Sequence, residues 1–155
     1  MNKHLFILFA VFAFGFNFSQ TISFNPRTGD VEMDGFLKEV STKAKDNINN
    51  FVSDVTQTFN VAKDKVEGLI KIMDPGDVFM TLQTAQVVNK PFEEVKEAYL
   101  KAKDKGWGQI AKDLGIKPGS AEFHALKNKM KGKKEKDGNG HGGGNGKVHG
   151  KGKNK

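Results

Sequence analysis

Three side chains in the last third of the chain are of the types that build a hydrolytic site: Asp113, Ser120 and His124. Nucleophile, base and orienting carboxylate act together only when hydrogen bonds chain them, and Ser120 and His124, four positions apart, can share one helix face. The surrounding residues argue against that use. No G-x-S-x-G elbow encloses Ser120, no strand signal offers a frame for an oxyanion hole, and Ser120 has a simpler role as N-cap of the helix after "KPGS". Metal ligation is little better supported. His141 and His149 stand eight positions apart in a glycine-rich stretch and His124 stands alone, whereas structural sites want four ligands at short spacings. Weak capture of a transition metal by the two tail histidines is the alternative to a solvated tail. The absence of cysteine removes disulfides, thiolate ligands, thiol nucleophiles and a lipid-bearing cysteine. No glycine run precedes a helix or a Gly-Lys-Ser/Thr, so no phosphate-cradling loop and no cofactor motif is offered. The expectation is a non-enzyme without catalytic, cofactor or metal residues, with a small hydrolase as the remote alternative.

Charge is what remains. The 155 residues carry a formal +7, and residues 127–155 account for +8 of it, which leaves −1 for residues 1–126. The lysines concerned are Lys127, Lys129, Lys131, Lys133, Lys134, Lys136, Lys147, Lys151, Lys153 and Lys155, opposed only by Glu135 and Asp137. Lysines on a glycine-rich chain can settle on phosphates, sulfates or carboxylates without fixed geometry, and counterion release makes such binding salt-dependent. These ten are the expected polyanion-binding residues, and the partners they fit are extracellular DNA, lipopolysaccharide or acidic polysaccharide. A solubilising tail with no defined partner is the alternative.

The elements that must carry these residues are largely helical. Residues 1–20 have the three-part pattern of a secretory signal: a basic start, the apolar run from Leu5 to Phe16, then small and polar residues. That run is well short of the ~20 residues needed to span hydrocarbon, so cleavage near Ser19 or Gln20 is expected, with an uncleaved anchor as the alternative. After processing no stable transmembrane segment is expected, and the protein is placed in the periplasm or outside the cell. The signal resembles those of Gram-negative bacteria. Residues 21–35, with Pro26 and two glycines, read as an extended leader.

From Met33 to Met73 apolar residues recur in threes and fours, a mean step near 3.6, which predicts one long amphipathic helix over 36–73 and disfavours a heptad zipper. Its weakest stretches are "DNINN" and "DVTQTFN", where a kink is allowed but not demanded. Its polar face mixes six lysines with seven acids over residues 31–73, unlike a helix drawn to anionic lipid. Packing on its own domain and self-association are the two uses weighed for it. Residues 74–130 then read as a four-helix mini-domain. Asp74 caps a helix from Pro75 to Val88, with Asp77 complementing its dipole; a second helix follows Pro91, and Gly106 stops it. Trp107, Ile110, Ala111 and Leu114 give a helix of two turns with Gly115 at C′, and Phe123, Leu126 and Met130 stripe the last. Residues 131–155, with nine glycines, are expected to be a disordered basic tail.

"GQIAKDLGI" resembles the first helix and turn of a helix-turn-helix module. The lengthened "KPGS" turn and a second helix offering Glu122, His124 and Lys127 depart from base-reading chemistry. The longer string "GWGQIAKDLGIKPGSAEFHAL", with a signal and a Gly/His/Lys-rich tail, resembles an uncharacterised family of small exported bacterial helical proteins. That resemblance implies an all-α module and an exported location, and no activity. Trp107, Ile110, Ala111, Leu114, Gly115, Pro118, Phe123 and Leu126 are read as a packed corner, in which the indole fills the joint between helices; a ligand-stacking Trp107 is the alternative. The expected function is an exported binding or structural protein whose tail attaches to anionic polymers. The alternative is a helix-turn-helix-like nucleic-acid binder.

Overall fold

A computed structural model describes residues 24–138, with side chains to 132. The segment read as a secretory signal and the end of the tail, including His141, His149 and the lysines from Lys147 on, lie outside the described residues. The described chain is all-α, with helices α1 (Val31–Asp46), α2 (Ile48–Phe59), α3 (Lys63–Ile70), α4 (Pro75–Val88), α5 (Phe92–Ala102), α6 (Trp107–Asp113) and α7 (Ala121–Gly138), and a 3-10 turn over Lys103–Lys105. None of these helices is long and apolar enough to cross a membrane.

The stripe expected as one helix over 36–73 is divided among α1, α2 and α3, and two asparagines divide it. Asn47 (φ −149°, ψ 83°) closes α1 by donating its N–H to the Lys43 carbonyl and opens α2 by accepting the Asn50 N–H on its side chain. Asn60 closes α2 in the left-handed region (φ 52°), as Asn89 closes α4. Asparagine is the non-glycine residue that tolerates this conformation best. The burial pattern survives the breaks: Met33, Leu37, Ala44, Phe51, Val55, Phe59, Val66 and Met73 all lie in the core. Ile48, at the first position of α2, is turned partly outward.

Two expected boundaries also move. The leader over 21–35 ends at Asp30, because the Asp30 carboxylate accepts the N–H groups of Glu32 and Met33 and starts α1 at Val31. At the other end α7 runs on to Gly138, so residues 131–138 of the expected tail are helical. Lysines and glutamates are good helix formers, and only Gly132 interrupts them before Gly138.

The centre of the fold is α4. Every residue from Pro75 to Ala85 is buried, polar ones included, the mark of a helix enclosed on all sides. Phe79 is gripped by Phe36 and Phe59, each in an edge-on contact with ring centroids 5.3 Å apart. One buried cluster joins α1–α3 to the four helices of 74–130, so the amphipathic stretch packs on its own domain.

Candidate functional site at the Trp107 corner and the basic end of the last helix

The corner is built by helix signals that the sequence carries openly. Leu114 caps α6; Gly115 follows at φ +90°, its N–H donating to the Lys112 carbonyl, and the Ile116 N–H returns to the Ala111 carbonyl at 2.8 Å. This is a Schellman closure, which only glycine enters cheaply at that position. Ile116 is buried beside Ile110, while Pro118 and Gly119 form an exposed turn. Ser120 then caps α7 by accepting the Phe123 N–H at 3.2 Å. Ala111, Leu114 and Phe123 lie half-buried against the core, and Leu126 is fully inside it.

Trp107 is 1% exposed. One face stacks on Tyr99 (centroids 5.5 Å, planes 29° apart), and its Nε1–H donates to Asp77 Oδ1 at 2.7 Å. The Tyr99 hydroxyl donates to Asp77 Oδ2 at 2.7 Å, so one buried carboxylate ties α4 to α5 and α6. Burial pushes the Asp77 carboxyl up from its ordinary range, and the two hydrogen bonds pull against that. Burial and the neighbouring Asp77 charge push the Tyr99 hydroxyl up as well. An indole held this way offers no free face, so the ligand-stacking use of Trp107 has no surface to work with. Asp77 does stand in the first turn of α4, where its charge complements the dipole, and its side chain also accepts from Tyr99 and Trp107. Only spacing across thirty residues connects Asp77 to Trp107, and no local pattern marks it.

The leader contributes to the same corner. The carbonyls of Pro26 and Arg27 accept the N–H groups of Trp107 and Gly108 at 2.8 and 2.9 Å, and so satisfy the open N-terminus of α6. The Arg27 guanidinium caps the carbonyls of Lys103 and Asp104 at the end of the 3-10 turn. Glycines make the close approach feasible: a Cβ on Gly106 would stand 2.6 Å from the Arg27 Cβ, and one on Gly76 would stand 2.5 Å from the Phe24 ring. Residues 24–30 are therefore a docked strap. The cleft beside Trp107, about 580 Å³, is lined in part by Phe24, Arg27, Asp74 and Asp77.

The residues weighed as a hydrolytic triad each have other partners. Asp113 accepts from Gln109 at 2.8 Å, Ser120 caps α7, and the exposed His124 ring lies edge-on to Phe123. Among the described residues no group of three His, Asp or Glu side chains converges as a metal site.

The first lysines of the expected polyanion site divide. Lys127 Nζ sits 2.6 Å from Asp30 Oδ2 and 3.1 Å from Glu32 Oε2, and Lys131 Nζ is 3.1 Å from Glu32 as well. Burial alone would raise the Asp30 carboxyl, but the Lys127 ammonium and the N–H groups of Met33 and Glu32 outweigh it and hold it low. Asp30 and Glu32 in turn raise Lys127. These two lysines root α7 on α1. Lys129 reaches only Gln86, at 3.5 Å, and Lys133, Lys134 and Lys136 lie on the last turns of α7.

No family model matches the chain, and neither a curated protein nor a solved structure does.

Proposed function

We propose that this is an exported, non-enzymatic binding protein of the small helical kind its corner motif resembles, whose basic C-terminal end holds anionic polymers. The observation that carries the reading is the charge step after Leu126, where ten lysines face two acids while the rest of the chain is nearly neutral. The ion pairs of Lys127 and Lys131 refine it. Both ammoniums are already engaged by Asp30 and Glu32, so attachment draws on Lys129 and on the lysines from Lys133 onward. A lysine-rich stretch beyond a folded body supplies charge without fixed geometry, which suits polymers of repeating phosphate, sulfate or carboxylate.

The test is retention on heparin, DNA and lipopolysaccharide across a salt gradient, with and without residues 139–155. Retention that falls steeply with salt and weakens on truncation, which removes four of the eight available lysines, is the expected result. Retention indifferent to salt would overturn the electrostatic reading. Sequence-selective DNA binding by the truncated body would favour the helix-turn-helix alternative, to which the seven-residue connection between α6 and α7 lends little support.

A further inference from the structure

We propose that the groove between α2 and the C-terminal half of α7 takes the hydrocarbon chain of an anionic amphiphile, its charged head resting on the lysine rim. The groove has a volume of about 800 Å³, the size of a small-molecule site. Its floor is apolar, with Phe36 from α1, Phe51 and Val55 from α2, and Phe79 from α4. A second cavity of about 300 Å³ also borders Phe36 and is lined by Glu32, Met33, Lys127, Met130 and Lys131.

The rim sets the sign of the head group. Lys43, in the last turn of α1, is engaged by Glu39, so the rim's cation is Lys129, which leans from α7 and reaches the neutral Gln86 amide at 3.5 Å. Among the described residues no carboxylate lies within ion-pair distance of Lys129. Asn47 and Asn50 line the groove where α2 begins, and that first turn carries no acid, so the positive end of the helix dipole adds to the Lys129 ammonium. Among the described residues the one acid lining the groove, Asp54, sits two turns further on, about 10 Å along α2 from Asn47. Positive charge at one part and hydrocarbon beneath fit an acyl chain ending in a carboxylate or phosphate better than a polymer, which has no apolar body to bury. The site shares Lys129 with the polyanion surface but includes nothing beyond residue 138, so removing residues 139–155 tests that reading and leaves this site in place.

The test uses the chain from Thr21 onward and dodecanoate below its micellar concentration, titrated calorimetrically. Saturable one-to-one binding is expected, about fifteenfold weaker for decanoate, since each buried methylene is worth roughly fourfold in affinity. Dodecyltrimethylammonium, of opposite charge, should bind at least tenfold more weakly. Gly132 lines the groove, and a Cβ added there meets nothing within 4 Å, so Gly132→Trp should fill the space without disturbing the fold. It should weaken dodecanoate at least tenfold while Gly132→Ala leaves it unchanged, and matching thermal melts will show both variants folded. Lys129→Glu should cost the anionic ligand tenfold and leave dodecanol binding intact. Absence of saturable binding, equal affinity for the cationic amphiphile, or indifference to Gly132→Trp would each overturn the proposal. So would loss of dodecanoate binding on removal of residues 139–155 with Gly132→Trp still competent, since the tail would then be the ligand's seat.

Discussion

Replacing Asp77 separates the size of its side chain from its charge. Asp77→Ala leaves two buried donors, the Tyr99 hydroxyl and the Trp107 indole N–H, without their acceptor. An orphaned buried donor costs about 1–3 kcal/mol, so the pair should cost about 2–6 kcal/mol before any cavity is counted. That is a large share of the ~5–15 kcal/mol that holds a typical domain together. Asp77→Asn keeps the volume. Its carbonyl can accept from Trp107, and its amide can donate to the Tyr99 oxygen if that hydroxyl turns around, so a loss of about 1 kcal/mol is expected. The pH dependence gives the sharper reading. Burial raises the Asp77 carboxyl above its unfolded value near 3.8, so the ionised form is disfavoured in the folded protein. Its contribution is fully present below pH ~4 and declines as pH rises through the raised value. Asparagine does not titrate. In urea denaturation between pH 3 and 8, the wild type should lead Asp77→Asn most at the acid end, and the gap should narrow as pH rises. A gap that widens with pH would show that the hydrogen bonds from Tyr99 and Trp107 favour the carboxylate over its burial, and the account of Asp77 given above would fail.

Further outcomes follow from other joints in the fold. Gly106→Ala places a methyl 2.6 Å from the Arg27 Cβ, and its backbone at φ 84°, ψ 169°, a region almost only glycine enters, alone costs about 1–3 kcal/mol. Arg27 is the sole arginine, so an arginine-specific protease should cut the variant faster than the wild type if the strap is displaced; equal cleavage would refute the docking. Asn60→Gly should be neutral or stabilising by up to about 1 kcal/mol while Asn60→Ala destabilises by a similar amount, because only the backbone at φ 52° distinguishes them; thermal melts decide. The depressed Asp30 carboxyl contributes stability above its unfolded pKa that is lost as pH falls through its folded value. Lys127→Met should therefore be less stable than wild type at pH 7, and the two should converge as pH falls through the lowered Asp30 value.

What the sequence disclosed and what it hid divide along one physical line. Caps and stripes act over three or four residues, so Asp74-Pro75, Gly115, Ser120 and the apolar positions from Met33 to Met73 could be read before any coordinates, and with them the all-α class. The breaks at Asn47 and Asn60 were only half visible. "DNINN" and "DVTQTFN" were weak for helix, but weakness is a matter of propensity, and tertiary packing decides whether a weak turn bends. Here α4 needs cover on all its sides, and three short helices can wrap it where a single straight rod of about 60 Å cannot. The candidate site was the least legible part. Asp77 reads locally as an N-terminal acid, and its partners lie 22 and 30 residues away. The leader reads as loop because the bonds that dock it go to α6 and to the carbonyls of Lys103 and Asp104, and along itself it makes a short turn between Thr28 and Asp30. The same distance blindness made Lys127 and Lys131 look like the beginning of a free basic tail. In the fold they face Asp30 and Glu32, about a hundred positions earlier in the chain, and the acids that cap α1 are also the ones that fix where the polyanion-binding surface can begin.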